Sequence, residues 1–584
     1  MKKFTFLLSL LLAFVGVTAS AQGLKFSDEP SDGTWASNTQ WYLIKVALTD
    51  GYHPKAAYLS TDEGYTNSNG LLLNNEAVPT SEKGLWCIVG DATNGYKFYN
   101  KGEGTSKVLG VSNWSKMYDA SGTDDVAKSF DIASSTATST AYCVKFHGKS
   151  DGDYWWNNSD GGGCHLSYWK DATNSTTGTK GNAFYFIPVS DLASAKYDVS
   201  VFFGTTNVDA FRHIPGVSTA CSSELSTWEA NKTQKNDDAF TEAAKTYLGK
   251  TYYRITNCNT SRAKSVLAAD ATSVACVAAA EKMRNASTVW KFVPVVKEGT
   301  NQYGVKLYNV NAQAYLGALV DPVQEPVTPM TSNLTQGGLY SISVNTSGSV
   351  EGFVLRDGNN GRMNLESNGG IDKWEGQAGY YNQVTWTIDP ATEIEVALNT
   401  VESKSYATAY LPFGVSAVSG AKAYTAAEPA NGQTVMTETA NFAKETGVLL
   451  VSDEAADKAV LTIGDVEGAA SSSALQGTLL AKDITDAQTK YLYLVFGKNK
   501  ANETEVGFFE PSTTVTSIPA NRAFFMDTTG SSIALNFGNV TAINNVATDN
   551  VNANAPIFDL SGRRVVKAVK GGLYIQNGKK YIVK

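Results

Sequence analysis

The sequence predicts a mainly β protein built from several β domains, and three observations carry that prediction. Only 18% of the 584 residues are charged, while Gly, Ser, Thr, Asn, Tyr and Trp are plentiful, a composition that favours strands and turns over helices. Short apolar runs cut by Gly, Asn, Asp and Ser recur along most of the chain. The pattern of residues 40–190 returns at 250–390, so one all-β unit is present twice.

The chain opens MKKFTFLLSLLLAFVGVTASAQG: two lysines, an apolar run from Phe4 to Val17, then Ala19-Ser20-Ala21. That order is expected of a secretory signal peptide over residues 1–21, placing the protein outside the cell or on its surface. No later stretch approaches about 18 uninterrupted apolar residues, so no transmembrane segment is expected. The net charge of −8 becomes about −10 without Lys2 and Lys3, and nothing in that balance attracts nucleic acid or an anionic membrane. Length alone, at about 150 residues per domain, suggests three to five domains.

The first block contains WYLIKVAL (41–48), AAYLS (56–60), LWCIV (85–89), YKFYN (96–100), KVLGV (107–111), SFDIA (129–133), YCVKF (142–146) and AFYFIPV (183–189). All read as strands, and the starting aromatics Trp41, Trp86 and Phe130 recur at roughly 45 residues. Residues 191–249 change character: in DDAFTEAAKTYL, Phe240, Ala243, Ala244, Tyr247 and Leu248 follow helical spacing, with Asp237 or Asp238 as N-cap, and SSELSTWEA offers a second short helix. The second block runs through YYRIT (252–256), SVLAA (265–269), VWKFVPV (289–295), YGVKLYNV (303–310), AYLGAL (314–319), LYSISV (339–344), GFVLR (352–356) and VTWTI (384–388). After Pro390, strands such as SYATAYLPF, TGVLLVS, KYLYLVF and RAFFMD alternate with polar turns, which predicts a β-sandwich over 396–540. TAINNVATDNVNANA supplies a linker at 541–555, and PIFDLSGRRVVKAVKGGLYIQNGKKYIVK a small β tail at 556–584.

The phrases YYRITN, VWKFVPV, YGVKLYNVNAQAYLGAL, GFVLRDGNNGRMNLES and VTWTI resemble the ricin-like β-trefoil modules of large exported Bacteroidetes proteins. The resemblance spans most of 250–390 and, more weakly, 38–190. It implies two β-trefoil domains, each of three four-stranded units closing one barrel, and carbohydrate binding as their role. Sugar-binding repeats of that family carry Gln-x-Trp, an early Asp and an aromatic platform. Here the nearest match, Gln383-Val384-Thr385-Trp386, is one residue longer. The tail, with Phe558-Asp559-Leu560-Ser561-Gly562-Arg563 and Gly572-Leu573-Tyr574-Ile575, resembles C-terminal sorting domains, which implies the export machinery as a partner. Residues 400–540 are similar to an accessory β domain that precedes such tails.

Catalytic signatures are scarce. The four histidines, His53, His147, His165 and His213, have no zinc-hydrolase spacing, and no Gly-x-Ser-x-Gly elbow, Walker loop or dinucleotide fingerprint is present. Asp151, Asp153, Asn157 and Asp160 fail calcium-loop spacing. The six cysteines, Cys87, Cys143, Cys164, Cys221, Cys258 and Cys276, lack Cys-x-x-Cys spacing and read as buried thiols or one or two disulfides. Neither cofactor nor metal is expected. Binding remains: an aromatic face stacks on a pyranose while Asn and Asp meet its hydroxyls. DYWWNNSDGGGCHLSYW (153–169) offers Trp155, Trp156, Asn157, Asp160 and Trp169, and its counterpart GRMNLESNGGIDKWEG offers Asn364, Asn368, Asp372 and Trp374. Strand alternation sends Trp155 and Trp156 to opposite faces, so one of them belongs to the core. The expected function is a non-catalytic glycan-binding protein. The alternatives are a structural or adhesive surface protein, or an enzyme whose catalytic domain lies in 400–540.

Overall fold

The computed structural model describes residues 23–47, 55–67, 70–136, 138–149, 154–159, 164–170, 181–296, 304–320, 328–345, 350–357, 361–375, 381–486, 493–499, 504–526, 532–537, 556–559, 563–576 and 579–582. The leader at 1–21, the linker at 541–555 and Asp151, Asp153 and Asp160 lie outside these residues. The chain forms two compact units, one running to Leu248 and taking in Pro294–Val305, the other made of Gly249–Val293 and Lys306–Lys584.

In the first unit six strands close on themselves. Trp41–Val46, Trp86–Asp91, Gly95–Asn100, Phe130–Ser134, Ala141–Phe146 and Phe184–Val189 pair in that order. The last returns to the first in register from Trp41↔Val189 to Val46↔Phe184. Three hairpins leave this barrel: Thr66–Asn67 with Gly70–Leu71, Lys107–Val111 with Ser115–Asp119, and Trp155–Ser159 with His165–Trp169. They are tied together by pairing of Gly70 with Ser115 and of Leu72 with His165. Six closed strands plus three hairpins is a β-trefoil, and closure removes the barrel's free edges. Ile44, Trp86, Ile88, Phe98, Phe130, Trp156, Phe184 and Phe186 fill the core.

Helices follow the first barrel: Ala195–Phe202, Asn207–Phe211, Val217–Ala220, Ser222–Ala230 and Gln234–Lys250. Ala195, with Val199 and Phe202, packs on Leu43, Tyr58, Leu85, Ile187 and Val189 of the barrel. The long helix starts before the Asp237 or Asp238 cap that the sequence suggests, because Asp237 is needed inside. Its carboxylate is 1% exposed and accepts from Tyr197 Oη at 3.2 Å and Thr241 Oγ1 at 3.1 Å, while Trp228 Nε1 donates to Tyr197 Oη at 2.5 Å. Burial pushes this carboxyl above the usual carboxylate range.

The second unit repeats the barrel. Tyr253–Asn257, Trp290–Val295, Gly304–Asn309, Tyr340–Val344, Phe353–Asp357 and Trp386–Pro390 form its ring, closed by pairing from Tyr253↔Pro390 to Asn257↔Trp386. Its hairpins are Lys264–Ala269 with Val274–Ala278, Ala314–Leu316 with Met330–Thr331, and Arg362–Leu365 with Ile371–Trp374. One fully buried ring anchors each repeat to a carbonyl 23 residues earlier: Trp290 Nε1 to Leu267 O, Tyr340 Oη to Gly317 O, and Trp386 Nε1 to Met363 O. In the first barrel Trp86 Nε1 reaches Leu59 O at 2.9 Å. Buried asparagines at strand ends repeat as well. Asn100, Asn257 and Asn309 each donate Nδ2 to a carbonyl (Lys83, Gln383 and Ser287) while Oδ1 accepts a turn N–H.

Beyond the barrel lies a layered sandwich. Strand Val448–Ser452 is buried at every position: Val448 and Leu450 face a core with Ile394, Val415 and Leu461, whereas Leu449 and Val451 face one with Leu494, Phe508 and Phe525. A strand covered on both faces reads as an unbroken apolar run, which is why TGVLLVS shows no alternation. The first of these cores continues into barrel residues Tyr252, Ala286, Val289 and Val310. A separate four-stranded sheet, ordered Arg564–Val565, Ile557–Phe558, Leu573–Gln576, Lys579–Ile582, forms the tail. Cys87, Cys221, Cys258 and Cys276 are thiols. Burial pushes Cys87 up to about 12 and Cys276 higher still, so neither is a ready nucleophile.

Candidate functional site

The third hairpin of each barrel holds the residues singled out in the sequence, and the two hairpins share one register. In the first, Trp155 faces Trp169, Asn157 faces Ser167 and Ser159 faces His165. In the second, Arg362 faces Trp374 and Asn364 faces Asp372. Alternation puts these pairs on the outer face of each hairpin, with successive outward positions about 7 Å apart. The inner faces carry Trp156 and Leu166 in one barrel and Met363, Leu365 and Ile371 in the other, all buried.

In the second barrel the outer row is polar apart from Trp374. Asn364 Nδ2 donates to Asp372 Oδ1 at 2.9 Å and to Glu366 Oε1 at 2.8 Å. Asn364 and Asp372 are each only 2% exposed, whereas Arg362, Glu366 and Trp374 are half-buried at the rim. The amide spends both protons on carboxylates, and its Oδ1 is buried without a partner. The short helix Tyr381–Val384 packs beside strand Arg362–Leu365. Gly369, at φ +94°, closes the turn in a conformation that favours glycine.

Asn368 sits in the same turn and is exposed. Its Oδ1 accepts from Gly370 N at 2.7 Å, so it shapes the turn and stands apart from Asn364, Asp372 and Trp374. Glu366 and Arg362, absent from the sequence-derived set, belong to the outer row. The alternation Arg362-Met363-Asn364-Leu365-Glu366 carries the signal that places them there.

The first hairpin differs. Trp156 is fully buried and packs on Phe98, Phe130 and Phe184 at ring-centroid distances of 4.7, 5.2 and 5.9 Å. Trp155, 4% exposed, lies with Ala141, Cys143 and Ala183 in a second cluster, beneath Lys145 Nζ at 5.9 Å. Alternation therefore holds, yet it frees neither ring as a platform, because the strand's outer face is covered at Trp155. Asn157 is 6% exposed, while Trp169 is open at 54%. At the far end of the hairpin His165 Nε2 lies 3.3 Å from Asn113 O, and its ring packs on exposed Trp114 at 5.6 Å.

The first repeat of the second barrel serves as an internal control. Leu267 and Met363 are equivalent through their indole anchors, so Ala268 and Ala275, which face each other, occupy the positions of Asn364 and Asp372. The fold itself thus accepts alanine where the third repeat places an amide and a carboxylate. Among the described residues no cluster of three or more His, Cys, Asp or Glu could hold a metal ion, and no helix is long and apolar enough to cross a membrane.

No family model and no curated protein sequence matches the chain. Among solved structures, the designed three-fold symmetric protein ThreeFoil is 13% identical, with 25% of this chain and 96% of that one covered and a TM-score of 0.18. A lectin of Polyporus squamosus, solved with the human-type influenza-binding epitope Neu5Aca2-6Galb1-4GlcNAc, is 12% identical over 46% of this chain and 91% of that one, with a TM-score of 0.19. A PSL1a-E64 complex is 12% identical over 47% and 97%, with a TM-score of 0.18. The trefoil assignment rests on the closure of the strands.

Proposed function

We propose that the chain is an exported, non-catalytic glycan-binding protein whose principal site is the outer face of hairpin 362–374. The observation that carries this reading is the row Asn364, Asp372 and Glu366 beside half-buried Trp374, at positions where a sister repeat has Ala268 and Ala275. Trp374 supplies a flat apolar face for the C–H side of a sugar ring. Glu366 accepts from hydroxyl donors at the rim, held in place by Asn364, which is held in turn by Asp372. At the rim Glu366 accepts and Arg362 donates, a pairing that suits the vicinal hydroxyls of a neutral sugar. Trp169, Asn157 and Ser167 form a weaker counterpart in the first barrel; Asp160 lies outside the described residues.

Export and a surface location are supported by the Lys-then-apolar leader and by the tail's likeness to sorting domains. The test is a glycan array followed by calorimetry with the chain and with Trp374→Ala and Glu366→Ala. Binding to neutral hexose-containing glycans that falls at least tenfold in both variants is expected. An array without signal, or variants that bind like the parent, would overturn the proposal.

A further inference from the structure

The chain's overall acidity conceals a basic end. Of 48 Lys and Arg residues, seven fall within the last 29 positions, namely Arg563, Arg564, Lys567, Lys570, Lys579, Lys580 and Lys584; of 56 acidic residues only Asp559 does. Asp559 is already engaged by Arg563, whose Nε is 3.3 Å away. The tail therefore carries an excess of six positive charges on a protein whose sum is −8.

The same segment holds the two most exposed large apolar side chains among the described residues, with Ile582 also exposed. Val566 is 101% exposed, Val569 66% and Ile582 50%. Val566 and Val569 occupy the connection between strands Arg564–Val565 and Leu573–Gln576, interleaved with Lys567 and Lys570, which are also exposed. This connection is held in place: Val569 N donates to Tyr574 Oη at 3.0 Å, Gly572 N donates to Val569 O at 3.0 Å, and Tyr574 is buried at 6% exposure. A structured loop that points two valines and two lysines outward stabilises nothing within its own sheet. Exposed apolar groups gathered among cations mark a contact surface.

We propose that the loop Val566–Lys570 and the flanking cations form a docking element for a phosphate-bearing lipid surface. The cations lie against the headgroup phosphates and Val566 and Val569 enter the boundary of the acyl region. Charge complementarity favours a lipid surface over a protein partner because two Val-Lys pairs, Val566-Lys567 and Val569-Lys570, place both chemistries side by side. A headgroup layer over hydrocarbon satisfies both at one depth. The binding is peripheral and reversible, and it is independent of the glycan site on the second barrel.

The experiment uses the chain from Gln22 onward, which contains every described residue and omits the apolar leader. Partition is measured by co-sedimentation with vesicles of phosphatidylcholine alone or with about one-third phosphatidylglycerol, across a salt series. Binding is expected only to the anionic vesicles and should weaken steeply between about 0.05 and 0.5 M salt. Each neutralised cation should reduce partition about fivefold, so Lys567→Ala with Lys570→Ala gives about 25-fold. Val566→Ser with Val569→Ser should weaken binding while leaving its salt dependence unchanged. These side chains are exposed, and an unchanged thermal midpoint confirms folding of each variant. Equal binding to neutral vesicles, no binding to either kind, or capture by soluble heparin without vesicle binding would each overturn the lipid assignment.

Discussion

The third hairpins of the two barrels share a register, a buried central Asn and a Trp at the same outer position, yet they differ in what surrounds that row. Hairpin 155–169 places Trp155 opposite Trp169 and Ser167 opposite Asn157; hairpin 362–374 places Arg362 opposite Trp374 and Asp372 opposite Asn364. The first uses its outer face for packing, with Trp155 closed against Ala141, Cys143 and Ala183. The second joins buried Asp372 and Asn364 to Glu366 at the rim through hydrogen bonds. Two copies of one framework thus separate a hairpin whose outer face is covered from one whose outer face carries linked polar groups, and the distinction lies in the neighbours of a shared Asn and Trp.

The largest expected effect breaks the comparison on its structural side. Trp156→Ala should cost the first unit about 3–5 kcal/mol, since it empties a fully buried site among Phe98, Phe130 and Phe184. Hydrogen exchange in Trp86–Asp91 should report the loss, while glycan affinity at the second barrel stays within twofold. A large drop in that affinity would show that the hairpins are not independent. Next, Asp372→Ala leaves one N–H of the buried Asn364 amide unpaired and should weaken both the hairpin and glycan binding by about 2–3 kcal/mol, read by calorimetry and thermal melting.

Smaller effects sharpen the contrast. Trp374→Ala should lower glycan affinity by about 1.5–2 kcal/mol through lost stacking and contact area, whereas Trp169→Ala should leave total binding within twofold. Equal losses from the two would make the hairpins functionally equivalent. Ser167→Asp in a Trp374→Ala background should restore a measurable fraction of binding at the first hairpin, by about 1 kcal/mol of hydrogen bonding to a charged acceptor. Asn368→Ala should change stability by about 0.5 kcal/mol and affinity not at all, because its Oδ1 serves the turn.

Much of this is legible in the sequence. Strand existence, the duplication and the helical interlude follow from periodicity, and Asn364, Asp372 and Trp374 do meet on one face. Alternation in Arg362-Met363-Asn364-Leu365-Glu366 also points to Arg362 and Glu366, although attention to Asn, Asp and Trp alone passes over them. The strand-end asparagines were less visible: Asn100 and Asn309 end YKFYN and KLYN, but only the fold shows that each closes a turn by bonding a distant carbonyl.

The chain by itself determined the local pattern, which residues alternate, where turns fall and which rings recur, because these depend on spacings of two to four residues and on turn chemistry. Only the tertiary structure decided which alternating face stays open. Trp155 is covered and Trp374 is half open because coverage depends on strands far away in sequence, Ala141–Phe146 and the approach to Phe184–Val189 in the first barrel. No spacing within the hairpin encodes those neighbours.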